Sequence, residues 1–286
     1  KIEHHAVEHT LSTLEKEGKI KISWVNIDDK GNIDLKHLEE LLKNNTMSLV
    51  SLMHANNEIG TLLPIKKVSE LCEKYDALFH SDTVQTMGHF KLDLQNIKIH
   101  FASCAAHKFH GPKGVGFIYI NHSVKIDPFI SGGAQERNMR GGTENVTGII
   151  GLAKEFELAN EHLEEHQTHI RGIKNYMMEQ LMANINGIDF NGEVGENSLY
   201  TVLNCRFPKH EDAEMLLFNL DIAGIAASGG SACSSGSNQG SHVLRGLGID
   251  MDRPSVRFLF SKYTTKEEID VVVAKLKEIF SVTKKV

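Results

Sequence analysis

The chain has 286 residues, 41% hydrophobic and 24% charged, which is ordinary for a soluble globular protein and long enough for one large or two smaller domains. A formal net charge of −6, with the basic residues scattered, excludes a general nucleic-acid binder. No apolar run approaches the ~18 residues that span a membrane, no basic-then-apolar leader opens the sequence, and Cys72, Cys104, Cys205 and Cys233 are far apart and form no CxxC pair, so neither a zinc knuckle nor a disulfide framework is indicated and a cytoplasmic, reducing compartment is expected.

Residues 5–17 place Val7, Leu11 and Leu14 on one helical stripe, with Gly18 as the stop. Ile20 to Ile27 alternates as a strand does, and residues 28–32 form a turn. A helix from Leu35 to Lys43 leads to an apolar strand, Ser48 to Ala55. A helix over 65–75 leads to a strand over 77–82, and strand-like segments follow at 99–104 and 115–120. Strands alternating with helices predict an α/β fold with a mostly parallel sheet covered by helices. Such sheets bind ligands beyond the carboxyl ends of their strands.

A long helical stretch, 146–182, changes the texture. Beyond it come a strand (200–207), a helix (211–220), a Gly/Ser-rich loop (228–241), a strand (255–260) and a final helix (266–280). The expected organisation is a large domain over 1–145, then the connecting helix and a smaller α+β domain over 146–286. The acidic run 155–165 reads as an exposed helix face, and Lys284-Lys285 as a polar tail.

Lys108 stands in Ala106-His107-Lys108-Phe109-His110-Gly111-Pro112-Lys113-Gly114, just after a strand. Two readings are open: an exposed loop lysine, usual for the residue type, or a Schiff-base amine. Asp82 ends an apolar strand, as a helix N-cap or as the carboxylate that keeps a cofactor's pyridine nitrogen protonated. Gln85 would then reach the ring's phenolic oxygen. Asp82 and Lys108 are one βαβ step apart, so both are expected at one sheet edge. His5 and His9 have the i,i+4 spacing of zinc ligands on a helix. With neither a third ligand nor an HExxH motif in view, they read as solvated and no metal site is expected.

Several stretches in order carry a resemblance: Glu3-His4, Met53 to Gly60, His80 to Gln85, His107 to Gly114, Gly132 to Glu136, Arg140 to Asn145, Ser231-Ala232-Cys233 and Ser255 to Phe258. Together the chain resembles the cysteine desulfurases of the class V aminotransferase group, among the pyridoxal-phosphate enzymes. The resemblance implies a homodimer that converts L-cysteine to L-alanine and carries the sulfur as a persulfide on Cys233. That sulfur would pass to an acceptor or an iron–sulfur scaffold protein. It also implies that Lys108 holds pyridoxal 5′-phosphate and takes the α-proton. His4 would stack on the ring and serve acid–base chemistry, and Asn57 would contact ring oxygen and substrate. His107 and Thr143 would bind phosphate, Thr143 in the partner subunit's site, and Arg257 would grip the substrate carboxylate. The long loop and the Ser-Ala-Cys motif resemble the group that serves iron–sulfur cluster assembly. Related pyridoxal enzymes, a selenocysteine lyase or an aminotransferase, are the alternative, and a non-catalytic scaffold is a third reading.

The chain departs from the family in two ways. Relatives carry further residues before the His4 motif, including a glycine/threonine loop that binds phosphate at a helix N-terminus. Without that loop the chain is expected to hold cofactor poorly. Ala105 stands where many relatives place a serine hydroxyl, and Ser103, two residues earlier in a strand, is expected on the same face. Phe260 and Lys262 replace the small residues usual after the Arg-Phe pair.

Overall fold

The structure, a computed structural model, describes residues 1–210, 213–229 and 240–281. It divides into two compact units that interleave along the chain, whereas the sequence suggests a single boundary after residue 145. One unit comprises Lys1–Leu41, Ala55–Leu63 and Glu164–Val286; the other comprises Leu42–His54 and Pro64–Leu163.

The second unit is built on a four-stranded sheet of β1 (Leu49–Ser51), β2 (Leu78–Asp82), β3 (Phe101–Ala105) and β4 (Gly116–Ile120), in that order. β1, β2 and β3 are parallel, and β4 returns antiparallel to β3. The sheet is therefore mostly parallel, as expected. The apolar stretch 48–55 forms only three residues of strand, but its ladder continues. Leu52 N donates to His80 O (3.2 Å) and His54 N to Asp82 O (2.9 Å). The crossover helix α3 (Ile65–Lys74) is the helix expected over 65–75, and it buries Ile65, Val68, Ser69 and Cys72, which share one face at i, i+3, i+4 and i+7. Helix α4 (Val146–Glu161) brings Phe156 edge-on to Phe109 and Phe117, with ring centroids 5.7 and 6.3 Å apart. These rings pack beside the buried cluster of Met87, Cys104, Ala106, Phe109 and Ala159.

In the first unit β5 (Asp189–Asn191), β6 (Val202–Arg206) and β7 (Ser255–Leu259) form an antiparallel sheet in sequence order. Its helices are α1 (His5–Lys16), α2 (Leu35–Asn44, as far as Leu41), α5 (Leu163–Asn184, all but its first residue), α6 (Leu216–Ile222), α7 (His242–Gly246) and α8 (Lys266–Ser281). This is the expected α+β pattern. The stretch over 146–182 is two helices, broken at His162. The expected strand Ile20–Ile27 does not form. Its backbone is satisfied elsewhere, with Ile22 N donating to Glu15 Oε1 (2.8 Å) and Asn26 N to His37 Nδ1 (3.0 Å). Only an isolated bridge, Ile27 to Ile33, remains. Alternation supplies a face, but a strand also needs a neighbour to bond with. β5 and α7 were not expected; each is too short to show a period. No helix among the described residues is long and apolar enough to cross a membrane.

Candidate active site

β2 ends at Asp82 and β3 at Ala105, and the register pairs Asp82 with Ser103 across the two parallel strands. The turns leaving both strands therefore start at one edge. Asp82 is buried, and its Oδ1 accepts from Val84 N (3.0 Å), which tightens the turn that carries Gln85. Thr83 Oγ1 donates to Ser103 O (2.8 Å) and ties that turn to β3.

A single 3-10 turn, Ala106–Phe109, follows β3. Ala106 and Phe109 are buried and anchor it, which leaves His107 and Lys108 exposed. His110 leaves the turn in the left-handed region (φ +72°). A Cβ on the next residue, Gly111, would sit 2.9 Å from the Ala106 Cβ, so the chain can double back only with glycine there. His89 Nε2, from the segment after β2, donates to Lys108 O (2.9 Å). The second unit thus gathers Asp82, Gln85, His107 and Lys108 on one sheet edge. Loss of some ring hydration and the charges of Lys108 and Lys113 lower the pKa of His107. The face of β3 that carries Ala105 also carries Ser103, as the alternation predicted. Thr143 is exposed, two residues before Asn145, the N-cap of α4.

His54 lies in a motif noted in the sequence, yet nothing there singled it out. It is buried, with Nδ1 2.9 Å from Thr86 Oγ1, and burial pushes its pKa down to about 4. The available signal was a histidine inside an apolar strand.

In the first unit Arg257, on β7, is buried. Its Nη1 donates to Asn57 O (2.8 Å) and its Nε to Ser228 Oγ (3.1 Å). Asn57 is buried in a turn held by Asn56 Oδ1, which accepts from Glu58 N and Ile59 N. Glu58, fully buried, takes a short hydrogen bond (2.5 Å) from the Ser241 hydroxyl. Arg257 and Asn57 are therefore joined, and the same turn reaches Ser241. His4 caps α1, its Nδ1 accepting from Ala6 N (3.2 Å). Cys233, and the Ser-Ala-Cys motif with it, lies outside the described residues. The other three cysteines are buried. Burial raises the Cys72 and Cys104 thiols to about 12 and pushes Cys205 up as well, so none of them is a ready thiolate.

Residues 1–272 match the family described as Aminotransferase class-V. Over 281 residues the chain is 40% identical to Cysteine desulfurase IscS of Dictyoglomus turgidum, covering 98% of this chain and 70% of that protein. It is 41% identical over 282 residues to Cysteine desulfurase IscS of Clostridium botulinum, with the same coverage. Among solved structures, a NifS-like protein superposes with a TM-score of 0.87 at 37% identity, covering 98% of this chain and 73% of that one. A NifS-like protein from Rickettsia africae also gives 0.87, at 28% identity and 98% and 74% coverage.

Proposed function

This chain belongs to the class-V aminotransferase family and is a pyridoxal-phosphate-dependent cysteine desulfurase, and from that premise we propose how its own residues divide the work. The observation that carries the assignment is the shared edge of β2 and β3. A buried carboxyl, Asp82, and an exposed amine, Lys108, open from adjacent parallel strands. This donor set fits the cofactor, which needs an amine for its aldehyde carbon and a carboxylate for its pyridine nitrogen.

Asp82 holds the proton on the pyridine nitrogen. Gln85 and Asn57 bond the ring oxygen, His4 stacks on the ring, and His107 binds the phosphate. Thr143 serves the phosphate in the other subunit of a homodimer. Arg257 binds the carboxylate of L-cysteine through its planar fork. When bound, the cofactor supplies an electron sink for the charge left at the substrate α-carbon. Lys108 removes the α-proton and returns a proton as alanine forms. The Cys233 thiolate attacks the substrate sulfur; an S–S bond forms, the substrate C–S bond breaks, and the carbon keeps that electron pair. The Cys233 persulfide then passes its sulfur to an acceptor in the cytoplasm, such as an iron–sulfur scaffold protein.

Borohydride reduction of the holoprotein followed by peptide mapping tests the first half, with the mass increment expected on Lys108; an increment on any other residue overturns the assignment. Cys233→Ala tests the second half. Cofactor absorbance is expected to remain while sulfur transfer is lost. Sulfur transfer that survives the substitution would remove Cys233 from the reaction.

A further inference from the structure

The histidines of α1 and α7 take no part in the reaction just described, apart from the cap His4. His5, His9 and His242 form a column of rings. The centroids of His5 and His9 are 4.5 Å apart and stacked, and those of His5 and His242 are 4.1 Å apart. Glu8, one turn into α1, lies beside this column. Its Oε2 is 3.7 Å from His5 Nδ1 and 3.8 Å from His242 Nε2. One donor atom from each of His5, Glu8 and His242 lies within 4.8 Å of the others. Metal–ligand bonds of about 2.05 Å place tetrahedral ligands roughly 3.4 Å apart, so a small contraction closes this triangle around a cation.

A second observation points the same way. His5 Nδ1 is buried and has no hydrogen-bond partner among the described residues. A buried polar atom left unpaired is uncommon, and a missing ion is one standard cause.

We propose that His5, Glu8 and His242 bind a late first-row divalent cation, zinc by its tolerance of tetrahedral geometry, and so join α1 to α7. Two imidazoles and a carboxylate favour such a cation over magnesium or calcium, which take oxygen ligands. The cation replaces the hydrogen through which His242 Nε2 bonds Glu3 O (3.0 Å), and that carbonyl then borders the fourth position. The sequence offered His5 and His9 at helical spacing without a third ligand. Folding supplies Glu8 from the same turn and His242 from the other end of the chain.

The test is calorimetric titration of the holoprotein with zinc chloride alone, after alkylation of accessible thiols so that they do not compete. One equivalent is expected to bind. Outer ligand partners alone are worth about 10–100-fold in metal affinity, so Glu8→Gln, which is isosteric, and His242→Gln are each expected to weaken binding by at least about tenfold. Glu17→Gln, at the far end of α1, is expected to bind as the parent does. No binding heat up to millimolar zinc overturns the proposal. So does parental affinity in both ligand variants, or an equal loss in Glu17→Gln.

Discussion

Replacing Ser241 with alanine removes two hydrogen bonds from the interior of the first unit at once. The hydroxyl donates to Glu58 Oε2 (2.5 Å) and accepts from Leu244 N (3.1 Å), capping α7. Both side chains are buried, Ser241 at 3% exposure and Glu58 at 0%, so water cannot replace either bond. Losing a cap costs about 1 kcal/mol. Leaving a buried acceptor unsatisfied costs about 1–3 kcal/mol more, and the other Glu58 oxygen, Oε1, already lacks a partner among the described residues. The expected loss is about 2–4 kcal/mol, read as a lower urea midpoint at unchanged slope. Pairing Ser241→Ala with Glu58→Ala should cost less than the sum of the two, by at least about 1 kcal/mol, because both remove the same bond. A loss under about 0.5 kcal/mol in Ser241→Ala, or strict additivity in the pair, would refute the reasoning.

Three further outcomes are expected. His54 has a pKa of about 4 in the fold against 6.5 ordinarily, so between those values the unfolded chain binds a proton that the folded chain does not. Its contribution is complete above pH 6.5 and falls by up to about 3 kcal/mol as the pH drops to 4. His54→Gln should flatten that limb of a plot of stability against pH, and an unchanged slope counts against a buried neutral imidazole. Gly192 has φ +79°, and a Cβ there would sit 2.4 Å from Ile59 O. Gly192→Ala should therefore cost about 2 kcal/mol or more, and a melting temperature equal to the parent's would contradict the packing described. Arg257→Lys keeps the charge but loses the planar donors proposed for the substrate carboxylate, along with the bonds to Asn57 O and Ser228 Oγ that hold the group in place. The KM for L-cysteine should rise about 10–100-fold, the worth of one charge-assisted bond, with a smaller change in kcat. An unmoved KM would place the carboxylate elsewhere.

Much of the scaffold was legible from local pattern. The stripe of Val7, Leu11 and Leu14 marks α1, and the helix read over 65–75 is α3. The pairing of Asp82 with Lys108 was expected from one βαβ step; both do leave adjacent parallel strands, but the connection from β2 to β3 runs through turns and holds no α-helix. Ile20 to Ile27 misled because its alternation was real while its ladder partner was missing. β4 was read as a strand, but its antiparallel direction was not foreseen, since direction depends on the path of the loop before it. The break at His162 went unseen because helical composition runs through it on both sides.

The sequence by itself determined the helix faces, the strand ends and the residue types placed after them. These depend on neighbours a few positions away, where backbone geometry imposes a fixed period. Only the tertiary structure decided that Ser241 closes onto Glu58, 183 positions distant, that Arg257 reaches Asn57, 200 positions distant, and that His242 stands over His5 and Glu8. Such contacts are set by how buried surfaces pack, and packing leaves no period along the chain from which a partner so far away can be read.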